Sequence, residues 1–123
     1  MKTNQSEQLE KRFLLYGVSV IKFTQSLKTQ LPFSVIDQII RSSTSIGANY
    51  SEAQNASSRN DFRNKIFIAK KEASESRYWL RVIDEICNTE ECTQYLQEIQ
   101  EILLILQGIV NTQIGRASCR ERV

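Results

Sequence analysis

Residues 59–87, RNDFRNKIFIAKKEASESRYWLRVIDEIC, decide the fold. Phe62, Ile66, Ala69, Ala73, Ser76, Leu80, Ile83 and Cys87 recur at alternating intervals of four and three. That spacing lays them along one stripe of an α-helix and does not match the two-residue period of a strand. The stretch predicts a helix of about 30 residues, roughly 45 Å long. Ser58 precedes it as an N-cap, and Asp61, three residues on, makes a partial capping box. A second stripe, Ile68, Glu72, Glu75, Trp79, Val82 and Ile86, runs beside the first, and Phe67 and Tyr78 lie off both. This helix is therefore apolar over more of its circumference than one core face needs.

The same spacing finds three partner helices. Leu9, Phe13, Tyr16, Val20, Phe23 and Leu27 predict a first helix from Ser6, as N-cap, to about Thr29, closed by Leu31-Pro32. Ile36, Ile39, Ser43, Ile46, Tyr50 and Ala53 predict a second, with Ser34 expected as its cap and Asp37 in its first turn. Ser42, Ser43, Thr44 and Ser45 are weak helix formers. With Gly47 and Ala48, they are expected to admit a close neighbouring helix or to hydrogen-bond across to one. Residues 54–58 read as a polar connection, and Asn88-Thr89-Glu90-Glu91 as a turn into the last helix. That helix carries Cys92, Leu96, Ile99, Leu103, Leu106 and Val110, widened by Tyr95, Ile102 and Ile109. Four amphipathic helices with short connections predict an all-α, antiparallel up-down-up-down four-helix bundle.

Composition narrows the function. At 123 residues the chain is one domain, and only 4 Gly and 1 Pro argue against a turn-rich β fold. There is no His, which excludes histidine-based triads and His metal ligands. Residues 102–110, the longest apolar stretch, are broken by Gln107 and Gly108 and fall short of the ~20 residues a bilayer span needs. The polar N-terminus lacks a signal-peptide apolar core, so a cytoplasmic location with no membrane partner is expected. Cys87, Cys92 and Cys119 follow no disulfide or zinc spacing and are expected to be reduced thiols.

The last ten residues stand apart. Residues 114–123, IGRASCRERV, carry no apolar period and back-translate without mismatch to a common short-read sequencing adapter followed by a stop codon. We expect residues 1–113 to be the native domain and 114–123 a non-native tail, to be set aside in reasoning about the fold. The net charge is +2 and the pI about 8.5. Three of the 16 basic and one of the 14 acidic residues fall in the tail, leaving 13 of each in residues 1–113. Bulk charge therefore says nothing for nucleic acid.

No phosphate loop, metalloprotease motif or nucleophile elbow is present. Glu72 and Glu75 share a face, but a di-iron bundle also needs Glu-x-x-His partners. Ser42–Ser45 lack a base nearby in sequence. No catalytic residue, metal ligand or cofactor is expected, and the chain reads as a non-enzyme.

Local charge is more informative. Between residues 59 and 71, Arg59, Arg63, Lys65, Lys70 and Lys71 face the single acid Asp61. Arg63, Lys70 and Arg77 are seven apart and form a column, with Arg81 one turn beyond. Such a column either contacts phosphates, each contact being salt-dependent, or makes salt bridges between helices or subunits. The candidate nucleic-acid-binding residues are Arg41, Arg59, Arg63, Lys70, Lys71, Arg77 and Arg81. Trp79 reads as a packing or interface anchor in preference to a base-stacking platform.

Arg41-Ser42-Ser43-Thr44-Ser45-Ile46-Gly47-Ala48-Asn49-Tyr50-Ser51-Glu52-Ala53 resembles the signature of the small four-helix bundle proteins encoded in 23S rRNA intervening sequences. Asp61-Phe62, Lys65, Ile68-Ala69, Lys71-Glu72-Ala73, Glu75-Ser76 and Tyr78-Trp79-Leu80 are similar to that family's third-helix pattern. The resemblance spans Leu9 to Val110. It implies a ring-shaped homopentamer, with Ile68, Trp79, Val82 and Ile86 as the oligomer interface. The family includes the accessory variability determinant of diversity-generating retroelements, a basic barrel that binds nucleic acid and a reverse transcriptase. Many members have Glu-Gly where this chain has Glu52-Ala53, so a different turn into the following connection is expected.

Two functions follow as expectations. The first is a non-catalytic oligomer that binds structured RNA or DNA through basic residues of the second and third helices. The second is a protein-interaction scaffold, or an accessory subunit for a reverse transcriptase or other polymerase-type partner, with no nucleic-acid contact of its own. The lack of His argues against a third function, a helical-bundle ribonuclease with an Arg-x-x-x-x-His site, which cleavage of bulk RNA by the pure protein would restore.

Overall fold

The computed structural model describes residues 3–121, with side chains through Thr112. It contains α1 (Asn4–Ser26), α2 (Phe33–Gln54), α3 (Arg59–Cys87) and α4 (Glu90–Glu121). Helix α3 matches the expected stretch, and the expected all-α four-helix bundle is present. Contacts between helices run in opposite directions along the two helices they join. Phe13 meets Tyr50 edge-on while Gly17 meets Thr44, so α1 and α2 are antiparallel. Lys65 pairs with Glu52 and Glu75 with Arg41, which sets α2 against α3 in the same way. Tyr95 reaches Ser19 and Glu98 reaches Arg12, closing α4 onto α1. The reading of residues 114–123 as a non-native tail concerns side chains outside this description.

The helix ends correct two expectations. Thr3, not Ser6, is the N-cap of α1. Thr3 Oγ1 accepts from the Ser6 N–H at 3.0 Å, and Ser6 Oγ accepts from the Thr3 N–H at 3.0 Å. A serine three residues inside a helix can complete such a reciprocal pair, so its presence marks the third helical position as readily as the cap. Helix α2 begins one residue before the expected cap: Pro32 is its N-cap, with no side-chain cap bond, and Ser34 lies inside the first turn. The fixed φ of proline, here −60°, delivers the chain into the helix without a side-chain acceptor.

The other two boundaries follow the expected chemistry. Ser58 Oγ accepts from the Asp61 N–H, and Asp61 Oδ2 accepts from the Ser57 N–H. Asn88 closes α3 in the left-handed conformation, at φ 47° and ψ 59°. Thr89 Oγ1 then accepts from the Cys92 N–H to start α4. At the turn after Ala53, Asn55 caps α2 at φ −110°, with no left-handed residue there.

The core sits where the four stripes converge. Phe13, Val20, Ile39, Ile46, Ile66, Leu80, Ile83, Ile99 and Leu106 are fully buried. On α4 the deepest face is turned toward Ile102, which is fully buried, while Leu103 is only partly so. Small residues set the helix spacing. A Cβ on Gly17 would stand 3.4 Å from Thr44, and one on Gly47 would stand 3.4 Å from the Phe13–Leu14 backbone. Ser43, also in the small-residue stretch, instead hydrogen-bonds across to Ser76 on α3.

Cys87 and Cys92, the two described cysteines, are free thiols. Cys92 is buried and donates to the Leu80 carbonyl at 3.3 Å. Its pKa is pushed up to about 11, chiefly by desolvation, with Asp84 and Cys87 adding to the effect. Such a thiol stays protonated and unreactive near neutral pH.

Candidate nucleic-acid interface

Helix α3 carries three faces besides its core stripe, one toward α2, one toward α4 and one away from the bundle. On the α2 side, Arg41 donates to Glu75 Oε2 at 2.7 Å and stands 3.9 Å from Glu72 Oε2. Trp79 Nε1 donates to the same Glu75 oxygen at 3.4 Å. Lys65 pairs with Glu52 at 2.9 Å, which raises the Lys65 pKa through that hydrogen bond. This seam consumes Arg41, Lys65, Glu72 and Glu75.

On the α4 side, Arg77 and Arg81 line a groove of about 500 Å³ with Thr93, Leu96, Gln97 and Gln100. No carboxylate lines that groove. Its amide and hydroxyl side chains can donate to a phosphate but cannot neutralise the two guanidinium groups.

The third face points away from the bundle. Arg63, Phe67, Lys70 or Lys71, Ser74, Arg77 or Tyr78, and Arg81 follow one another at helical steps of three and four, so they share one strip. Phe67, Lys71, Ser74, Arg77, Tyr78 and Arg81 are exposed, while Arg63 and Lys70 are half-buried. From Arg63 to Arg81 this strip holds no acid. Asp61 is engaged at the helix start, Glu72 and Glu75 belong to the α2 seam, and Asp84 and Glu85 lie beyond Arg81, with the half-buried Asp84 one turn on, close to Cys92 of α4. Among the described residues, Arg63 bonds only the Asn60 amide oxygen. Lys70, Lys71, Arg77 and Arg81 have no ion pair among the described residues.

The structure thus brings Arg63, Lys70, Lys71, Arg77 and Arg81 onto one side of α3, with Arg59 exposed at its first residue. It does not bring Arg41 to them, because Arg41 is held on the opposite flank by Glu75. Lining residues Thr93, Gln97 and Gln100 carried no sequence signal, since polar residues on an amphipathic helix are ordinarily plain surface.

The expected interface stripe also has a clear position. Ile68 and Ile86 stay 40% and 51% exposed, and Trp79 and Val82 are half-buried. Sequence reading missed a second exposed apolar set on α1, Leu14, Leu15 and Val18. Leu14 and Val18 line a groove of about 300 Å³ with Gly17, Gly47 and Ala48. Their only signal was that they are large apolar residues off the core stripe.

Among the described residues no three His, Cys, Asp or Glu side chains are grouped to hold a metal. None of the helices, over the described residues, is long and apolar enough to cross a membrane.

Four antiparallel helices around one apolar core, with cations and apolar side chains left outside it, define a small all-α bundle protein. The chain belongs to the 23S rRNA-intervening sequence protein family, whose model matches residues 8–108. It is also similar to a crystal structure from Bacteroides thetaiotaomicron, a protein of unknown function from the S23 ribosomal protein family. The two are 38% identical with a TM-score of 0.77, over 82% of this chain and 96% of that one. No curated protein matches the chain.

Proposed function

We propose that the protein is a non-catalytic oligomer that binds nucleic acid through the basic residues of α3. One observation carries this reading: the acid-free strip from Arg63 to Arg81, whose lysines and arginines have no carboxylate partner among the described residues. Cations in that condition gain most from a polyanion, because each phosphate they neutralise releases condensed counterions. The surface comprises Arg59, Arg63, Lys70, Lys71, Arg77 and Arg81, and the commitment of Arg41 to Glu75 keeps it out. In the homopentamer that the family resemblance implies, the strip repeats on every subunit and weak contacts combine. No catalytic residue, metal or cofactor is part of this reading, and the protein acts in the cytoplasm.

The test is binding of a structured RNA and of duplex DNA across a salt series. Arg63→Glu combined with Lys70→Glu is expected to weaken binding and flatten its dependence on salt. Failure of the unaltered protein to retain either nucleic acid at low salt overturns the reading.

A second reading is supported by the exposure of Ile68 and Ile86 beside Trp79, and of Leu14 at 59%. These surfaces fit a protein partner, either another copy of the chain or a polymerase-type protein. Light scattering reports the first. A partner protein that co-purifies and survives nuclease treatment supports the second.

A further inference from the structure

We propose that the outer strip of α3 is a platform for unpaired nucleotides, with bases stacked on Phe67 and Tyr78 and their phosphates held by the neighbouring cations. This rests on the nucleic-acid reading above and names the form of nucleic acid that the surface takes.

The two rings are large and open: Phe67 is 43% exposed and Tyr78 is 58% exposed. A scattered exposed aromatic needs no explanation, but these two interrupt a run of unpaired cations. Each has a cation three positions further along, Lys70 after Phe67 and Arg81 after Tyr78, and Phe67 has two more at four positions, Arg63 and Lys71. Residues three apart on a helix are surface neighbours, so each ring shares its patch with a positive charge. The rings are eleven residues apart, about 16 Å along the helix, too far to hold the same base.

Tyr78 is also steadied from below. Its ring meets that of Trp79 edge-on, with centroids 5.1 Å apart and planes at 77°. Trp79 is half-buried and tied to Glu75. A ring already held in place loses little freedom when a base stacks on it.

Complementarity selects the ligand. A duplex presents phosphates but keeps its base faces inside the stack, which leaves both rings unused. An unpaired strand offers a π-face at every base as well as a phosphate for every cation. The loops of a structured RNA supply such nucleotides.

The experiment measures affinity of the full chain for labelled oligo(U), oligo(dT) and an RNA duplex of equal length. Oligo(U) and oligo(dT) are each expected to bind more tightly than the duplex. Phe67→Ala and Tyr78→Ala are each expected to weaken single-strand binding about tenfold. They leave the salt slope and the duplex affinity unchanged, whereas Lys70→Gln lowers the single-strand slope by about 0.7. Tyr78→Phe keeps the stacking face and is expected to retain affinity.

Both aromatic positions are exposed, and circular dichroism and light scattering verify fold and assembly. Salt-dependent binding that is indifferent to both alanine variants, or that favours the duplex, overturns this inference and leaves the charge-based reading standing. Loss of affinity that tracks dissociation of the oligomer overturns it as well, by making the rings an interface between copies. No binding to any of the three overturns both readings.

Discussion

The Tyr16 hydroxyl of α1 stands 2.6 Å from Ser76 Oγ of α3, across the diagonal of the bundle. Ser76 Oγ lies in turn 2.7 Å from Ser43 Oγ of α2. Three helices therefore share one chain of hydroxyls, whereas the buried hydroxyls of Thr24 and Ser42 donate to carbonyls of their own helices. All three residues are buried, and each hydroxyl has a partner. A satisfied polar chain of this kind fixes how the helices are rotated against one another, which apolar contacts do only loosely.

Ser76 occupies the centre of that chain, so its loss leaves two buried hydroxyls short of a partner. Ser76→Ala is expected to cost about 1–3 kcal/mol, because an orphaned buried hydroxyl pays its full desolvation. Urea unfolding followed by circular dichroism measures it. A change within error of zero would show that water or rotation restores the missing bonds.

Burial raises the Tyr16 pKa from its ordinary 10.0 to about 12, with the hydrogen bonds from Ser76 and Ser43 opposing the rise. The folded state then holds a proton that the unfolded chain releases first. The stabilisation is complete below pH 10 and is lost as the pH climbs toward 12, at about 2–3 kcal/mol in total. Cys92 acts in the same direction from pH 9.0 to about 11. Stability is expected to fall steeply in alkali, and Tyr16→Phe should lose less between pH 10 and 12. Equal slopes for the two proteins would remove Tyr16 from the account.

The glycines separate packing from propensity. A Cβ on Gly47 already touches the Phe13–Leu14 backbone, so Gly47→Leu must push α1 off α2 and is expected to cost about 1–3 kcal/mol. Gly108 on α4 has no neighbour within 4 Å of an added Cβ. Gly108→Ala is therefore expected to stabilise by roughly 0.5–1 kcal/mol through helix propensity. Thermal midpoints of the two variants should move in opposite directions.

Among the described residues the buried core ends at Val110. Truncation after Gln113 is accordingly expected to leave the melting temperature unchanged and to lower the pI, since it removes Arg116, Arg120 and Arg122 with Glu121. A marked fall in melting temperature would show that residues 114–123 contribute to the fold.

The core was legible because burial follows helical spacing. Phe13, Tyr16, Val20, Phe23, Ile36, Ile39, Ser43, Ile46, Tyr50 and Ala53 all lie where the intervals of four and three put them. Even Ser43 and Ser76, polar residues on apolar stripes, were marked by that spacing as inward-facing. Less of the helix ends was legible: a capping box reads alike from either of its serine or threonine positions, and a proline that sets φ removes the need for a side-chain cap. Part of the candidate site was legible too, since the seven-residue interval already aligned Arg63, Lys70 and Arg77.

Linear order decided which residues share a helix face, because 3.6 residues per turn is a local property of the backbone. The bundle alone decided what each face meets. Arg41 and Arg77 are equally basic in sequence, yet Arg41 is spent on Glu75 at 2.7 Å while Arg77 opens onto a groove without carboxylates. The difference is a matter of distance between helices. A charge keeps its reach toward a ligand only if no opposite charge has been packed beside it, and that packing is set by how α2 and α4 dock on α3.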